Sequence, residues 1–332
     1  MTTSNLVQEP FFRETGEERA RIMSSIRING QALNAADWLQ VDTVMPIQVP
    51  DGFRGIVYPD SHSPWEHNGV LRAIYEFAHL YQPHLAFDIG DFLDLGRMSR
   101  WPANVKEGNP YRQQGEVDAA RRQLRSKMHA GNPAKLIVMP GNHDDRERRQ
   151  LSEKAAMFGD MVNGVNRNML TDLATNVLGF QEKDPVMFAW GAGQQGGREG
   201  GVMVGDVRLR HGNFVDPKPG YSAYKHWLKQ LVSTFIGHVH RAGDFAYETK
   251  SGAVKRGGEL GHNADARKPG FNYISTEQDW IHAFGVMQAH NGVVHMQVIP
   301  MLLGEDEEGD QLEYFSWIGS NCETVEFAVR DN

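Results

Sequence analysis

The chain has 332 residues, of which 40% are hydrophobic, 23% charged and 10% aromatic, an ordinary globular composition that excludes a disordered, collagenous or fibrous protein. Its apolar runs stop at about five to seven residues against the ~20 needed to cross a bilayer, so neither a membrane span nor a membrane partner is expected. The net charge of −8 is concentrated in an acidic cluster, Glu305, Asp306, Glu307, Glu308, Asp310 and Glu313, and the remainder is nearly neutral.

Residues 1–50 open with a polar helix predicted over Glu17–Ile28, carry no chemistry-bearing pattern and are read as an N-terminal extension. Their start lacks the basic-then-apolar pattern of a signal peptide; with Cys322 as the single cysteine, the expectation is a cytoplasmic protein without a disulfide. From there apolar runs predict buried strands at Gly55–Tyr58, Leu85–Ile89, Leu136–Met139, Val207–Arg210 and Leu231–Ile236, with helices over Val70–Tyr81 and Glu116–His129. Strand, helix and strand in alternation is the α/β pattern. Residues 151–205 break this rhythm with two helical pieces and a glycine-rich stretch, Gly191–Gly201. That stretch lacks the Lys-Ser/Thr ending of a phosphate-binding loop, and the segment is expected to be a peripheral insertion in a main domain of residues 51–303. Strand-like runs at Phe271–Ser275, Phe284–Ala289 and Val293–Leu303 suggest a closing antiparallel set, and 304–332 is read as an acidic tail.

Between Arg97 and Arg149 twelve Lys or Arg face six acids, which permits a local anionic partner; the alternative is a solvated helix face.

Chemistry gathers where the predicted strands end. Gly55–Tyr58 runs into Asp60 and His62, Leu85–Ile89 into Asp91 and Asp94, and Leu136–Met139 into Asn142, His143 and Asp144. Val207–Arg210 runs into His211, and Leu231–Ile236 into His238 and His240. Carboxyl ends of strands in α/β sheets form the ligand-binding edge, so these groups are expected in one crevice. Carboxylates and imidazoles without thiolate suit Mn²⁺, Fe or Zn²⁺. Seven groups (Asp60, His62, Asp91, Asn142, His211, His238, His240) are about what two ions with open water positions need, one carboxylate serving as a bridge. Glycines before Asp91, Asn142 and His238 are expected to let the backbone turn and approach closely. Asp94 is read as orienting a ligand histidine.

The five blocks resemble, in order, the calcineurin-like metallophosphoesterase signature D-x-H, G-D-x-x-D, G-N-H-D/E, H and G-H-x-H. Their surroundings, GDFLDLGR, GNHDDRERR and GHVHR, are similar to bacteriophage- and prophage-encoded members. The resemblance implies a sandwich of two mixed β-sheets flanked by helices, a four-layer αββα arrangement, and a binuclear centre of two divalent ions, Mn²⁺ first and Fe, Zn²⁺ or Ni²⁺ as alternatives. It implies that Asp60, His62 and His240 hold one ion, that Asn142, His211 and His238 hold the other, and that Asp91 bridges. It also implies that His143 donates a proton to the leaving group with Asp144 orienting it. Arg146 matches the Arg of a G-N-H-E-x-R pattern; it and Arg241 are assigned to substrate phosphate, with an exposed salt bridge as the alternative for each. Protein Ser/Thr phosphatases carry Arg after the second Asp of G-D-x-x-D, where this chain has Leu95, with Arg97 two further on. The expected activity is hydrolysis of a phosphate ester, first a phosphodiester in nucleic acid or nucleotides. The alternatives are a phosphomonoesterase, including one acting on phosphoproteins, and a non-catalytic interaction module of the same fold.

Overall fold

The computed structural model describes residues 11–12, 14–33, 39–40, 44–96, 113–146, 173–181, 183–189, 200–249, 252, 254–271, 279–305, 310–318 and 324–330. Helix α1 (Gly16–Ser25) starts at Thr15, whose hydroxyl accepts from Glu18 N while the Glu18 carboxylate accepts from Thr15 N, a reciprocal cap. Short strands β1 (Arg27–Ile28), β2 (Gln31–Ala32) and β3 (Leu39–Gln40) precede β4 (Val44–Gln48). Next come β5 (Arg54–Tyr58), α2 (Asn68–Tyr81), β6 (Leu85–Asp88), α3 (Gln113–His129) and β7 (Lys135–Val138), the alternation expected from sequence. The chain continues through β8 (Val186–Ala189), β9 (Gly201–Val204), β10 (Val207–Arg210), α4 (Tyr221–Gln230) and β11 (Ser233–Ile236). It closes with β12 (Ala242–Glu248), β13 (Val254–Leu260), β14 (Ala283–His290), β15 (Val293–Glu305), β16 (Gln311–Ile318) and β17 (Thr324–Ala328).

Two mixed sheets result. One has eight strands in the order β12-β13-β11-β10-β9-β4-β1-β2, the other nine in the order β17-β16-β15-β14-β5-β6-β7-β8-β3. Side chains alternate across a strand, and here both faces are apolar. Ile56, Tyr58, Ala86, Leu136 and Val138 face Val70, Ile74 and Phe77 of α2 and Leu124 and Met128 of α3. Their neighbours Val57, Leu85, Phe87 and Ile137 turn the other way, onto Met45, Ile47, Val202, Leu209 and Phe235 of the eight-stranded sheet. Helix α4 lies on the outer side of that sheet against β11 and β13. The architecture is therefore helix, sheet, sheet, helix.

The expected segment boundaries do not survive. β4, from the N-terminal extension, pairs in parallel with β9, and β8 and β9, from the supposed peripheral insertion, are buried strands of the two sheets. The two helical pieces expected in 151–205 fall largely outside the described residues, which show a π-type turn at Leu173–Val177. The supposed acidic tail supplies β16 and β17, which extend the nine-stranded sheet by antiparallel pairing, with Phe315, Trp317 and Phe327 buried. The strand expected at Phe271–Ser275 begins instead as a 3₁₀ turn, Pro269–Phe271, and 272–278 lie outside the described residues.

Candidate metal centre

β5, β6 and β7 run parallel in one sheet and β10 and β11 in the other, so their carboxyl ends meet at one end of the sandwich. The loops leaving them carry every predicted ligand. Asp60, His62, Asp91, His211 and His240 are buried, whereas Asn142 and His238 are half-buried at the mouth. The loops turn tightly: Gly90 (φ 108), His62 (φ 50), Asp91 (φ 51), His238 (φ 71) and His240 (φ 61) all lie in left-handed backbone, a strain that clusters at functional sites. Gly141 and Gly237 serve close approach instead, since a Cβ there would collide with Asp91 Oδ1 and with Asp60 Oδ1 respectively.

The donor atoms converge in pairs. His62 Nε2 lies 3.0 Å from His240 Nε2, and His240 Nε2 lies 3.1 Å from Asp60 Oδ2. Around Asp91 Oδ2 stand His211 Nε2 at 3.3 Å and His62 Nε2 at 3.9 Å, and Asn142 Oδ1 is 3.0 Å from His211 Nε2. Asp60, His62 and His240 form one cluster able to hold an ion, and Asp91, His211 and His238 form a second. Two facing imidazole nitrogens share at most a single proton, and Asp60 Oδ1 is buried with no hydrogen-bond partner among the described residues. Such convergent lone pairs suit a cation, and a nitrogen and oxygen set without sulfur suits a borderline or hard one. Charge points the same way. Burial alone would lower His211, yet Asp91 and Asp60 carry it up to about 9, the pull two buried carboxylates exert on positive charge beside them. Burial likewise would raise Asp91, but His211 and His143 bring it well below its ordinary value.

His143 sits beside these clusters, its ring edge-to-face with His62 at 4.4 Å between centroids. Its Nδ1 lies 2.9 Å from Asp94 Oδ1, and its Nε2 accepts from Arg146 Nη2 at 2.8 Å. Asp91 Oδ1 accepts from His143 N at 2.7 Å. Distances alone would also allow His143 to join His62 and Asp91 around an ion. The guanidinium against Nε2 disfavours that role, because it places a second cation at the ligating atom.

Several predicted roles need correction. Asp144 does not orient His143: its Oδ2 accepts from Asp91 N and Gly141 N at 2.7 Å each and its Oδ1 from Leu93 N at 2.8 Å, so it clamps the loop carrying Asp91. Asp94 orients His143, and its Oδ1 also stands 3.4 Å from His62 Nδ1 while Oδ2 accepts from Trp65 Nε1 at 3.1 Å. Arg241 is not placed for substrate: it is buried, its Nη2 donates to Asp216 O, Nη1 reaches Asp279 Oδ2 at 3.4 Å, and Nε lies 3.6 Å from Glu259 Oε2. Asp88 was missed altogether. Buried below the centre, it accepts from Lys127 Nζ at 2.6 Å, and Lys127 also donates to Ser61 Oγ at 2.9 Å.

That last contact also breaks up the basic stretch. Lys127 points inward, Arg121 donates to the carbonyls of Leu178 and Val177, and Arg125 donates to that of Gly179. Arg97, Arg100, Lys106, Arg112, Arg148 and Arg149 lie outside the described residues.

No protein-family model matches the chain. It is 23% identical over 255 residues to the gene 54 protein of Mycobacterium phage D29, covering 76% of this chain and 94% of that protein. Among solved structures it is similar to Vps29 from Chaetomium thermophilum, with 12% identity, a TM-score of 0.41, and coverage of 85% of this chain and all of that one. It is also similar to Vps29 from Cryptosporidium parvum, at 12% identity and a TM-score of 0.37, covering 84% of this chain and all of that one. No helix among the described residues is long and apolar enough to cross a membrane.

Proposed function

We propose that the chain is a metal-dependent phosphoesterase with a binuclear centre, acting on a phosphodiester of nucleic acid or nucleotides. The observation that carries this reading is the convergence of seven nitrogen and oxygen donors, with His62 Nε2 and His240 Nε2 3.0 Å apart and Asp91 Oδ2 within 3.3 Å of His211 Nε2 and 3.9 Å of His62 Nε2. Asp60, His62 and His240 would hold one divalent ion and Asn142, His211 and His238 the other, with Asp91 shared. Bound there, the two ions would supply positive charge for the phosphoryl oxygens and acidify a water so that its deprotonated form exists near neutral pH.

The remaining steps belong to side chains. Arg146 would turn its guanidinium to a phosphate oxygen, and on doing so it would leave His143 Nε2. That nitrogen, once protonated and with its ring held by Asp94 through Nδ1, would give its proton to the departing oxygen. Burial lowers the His143 pKa, which makes the proton easier to release.

The test is a panel of bis-p-nitrophenyl phosphate, p-nitrophenyl phosphate and a single-stranded oligonucleotide, assayed with Mn²⁺ and with chelator. Hydrolysis of both diesters ahead of the monoester, lost on chelation, is expected. A monoester preference would move the reading to a phosphomonoesterase, and inactivity on all three would leave only the fold.

A further inference from the structure

A second cavity opens on the far side of the loop that bears His62. It has a volume of about 570 Å³ and lies between the start of α2, the middle of α3 and the turn at Asp265–Lys268. That size falls in the range of small-ligand sites, about 300–1,000 Å³. The loop joins it to the centre: Asp265 N donates to Trp65 O, His67 N donates to Asn263 O, and Asn263 N donates to Asp60 O.

Four features give the cavity an anionic preference. Arg72 of α2 and Arg122 of α3 line it from opposite helices, both exposed, and neither has an ion-pair partner among the described residues. Helix α2 opens into it; His67 satisfies Val70 N through Nδ1 and Leu71 N through its carbonyl, and the amides of Asn68 and Gly69 have no acceptor among the described residues. Gln123, only 5% exposed, lines the same wall. Its Oε1 accepts from Ser63 Oγ at 3.3 Å, and its Nε2 is buried with no partner among the described residues, a donor held without an acceptor. Finally, the Asp265 carboxylate is already engaged by Arg267 at 2.8 Å and Lys268 at 3.8 Å, so among the described lining residues Glu66 is the one carboxylate left to oppose the Arg72 and Arg122 guanidiniums.

We infer that this cavity is a second anion site, taking a backbone phosphate of the polynucleotide strand that flanks the scissile bond. The inference rests on the proposed phosphodiesterase reading, and it explains why Arg122, alone of the three arginines Arg121, Arg122 and Arg125 on α3, has no side-chain partner among the described residues. One phosphate at the centre and a neighbouring one here would fix the strand across the loop of Trp65–His67.

The experiment compares wild type, the double variant Arg72→Ala/Arg122→Ala and the control Arg125→Ala. Hydrolysis of bis-p-nitrophenyl phosphate and of a single-stranded oligonucleotide is followed with Mn²⁺, and binding of a labelled phosphorothioate oligonucleotide and of pyrophosphate is titrated against salt. The double variant should keep small-diester turnover and the wild-type melting temperature while its KM for the oligonucleotide rises about tenfold. Its salt slope should flatten by about 0.7, the loss of one phosphate contact on a single strand. Arg125→Ala should change neither. Unchanged oligonucleotide binding in the double variant overturns the inference, as does an equal loss in Arg125→Ala, which would mean diffuse attraction. Loss of pyrophosphate binding alone would also overturn it, by assigning the cavity to a free anion. If wild type hydrolyses no diester, the proposed function falls, and the binding arm still decides this site.

Discussion

Two imidazoles, those of His62 and His143, reach for one Asp94 carboxylate oxygen, at 3.4 and 2.9 Å. Burial would raise that carboxyl, but the hydrogen bonds to His143 and His62 hold it below its ordinary value, so it remains an acceptor for both rings. The arrangement separates three variants. His143→Ala should retain both metals and lose about 10²–10⁴ in kcat on esters with alkyl or nucleoside leaving groups, and far less on p-nitrophenyl esters, whose phenolate departs unaided. Asp94→Asn should show the same leaving-group bias together with weaker metal retention through His62. Asp144→Asn should show no such bias, because its carboxylate holds the backbone of Asp91, Leu93 and Gly141 rather than a ring. Metal loss in His143→Ala, or equal slowing of both ester classes, would return His143 to the ligand set. Metal content tests the bridge independently. Asp91→Asn should deplete both ions, His62→Ala chiefly one, and equal depletion by the two would remove Asp91 from its shared position.

At the scale of elements, the loops hold the donors by close backbone approach. Gly237→Ala would drive a Cβ into Asp60 Oδ1, and Gly141→Ala would drive one into Asp91 Oδ1, at positions where neither glycine needs left-handed backbone. Each should lower metal occupancy several-fold; Gly237→Ala, which meets side-chain atoms, should keep a thermal transition close to wild type, and Gly141→Ala, which also meets the Asp91 backbone N, should melt lower, while full occupancy in both would show that the loops yield. These loops were legible in sequence because short apolar runs end abruptly in Asp, Asn and His, and β5, β6, β7, β10 and β11 are all found where such runs lie. What escaped has a physical reason. β16 and β17 carry Glu313, half-buried, and Glu326, exposed, and read as a polar tail, yet β16 is paired on both sides and Phe315, Trp317 and Phe327 are buried. β8 and β9 are four residues each and flank a glycine-rich stretch, so periodicity had little to act on. The Asp94–His143 pairing joins loops 49 residues apart, and adjacency in sequence favoured Asp144. Arg241 directly follows the candidate ligand His240 but turns into the body of the sheet toward Glu259, a partner that only the fold brings near.

Across the whole molecule, the N-terminal segment is tied to the nine-stranded sheet through charge. Arg54 Nη2 donates to Glu14 Oε2 at 2.8 Å, and His84 bridges Glu14 Oε1 at 2.9 Å and Arg54 N at 2.9 Å. Burial first, and then Arg54, lower His84 to about 4 although Glu14 pulls upward; burial, followed by Arg210, takes His226 to about 3. Both imidazoles are therefore neutral in the fold where an unfolded chain, titrating near 6.5, would take up protons. Between pH 6.5 and 4 the unfolded state binds more protons, so stability is full above pH 6.5 and is lost as pH falls through this window. Glu14, held below its ordinary value against its burial by His84 and Arg54, adds its own loss only below about pH 4.5, so it does not mask the histidines at pH 5. His211 has the opposite sign in the metal-free chain, since a pKa raised to about 9 contributes fully below pH 6.5 and fades as pH climbs toward 9. Urea midpoints in chelator should therefore fall on going from pH 6.5 to pH 5. His84→Gln, which can keep one hydrogen bond without a titrating ring, should start lower and fall by less. Parallel declines for wild type and His84→Gln across that interval would show that His84 takes up its proton in the folded chain, and that the tie between Glu14 and the sheet is not what acid releases.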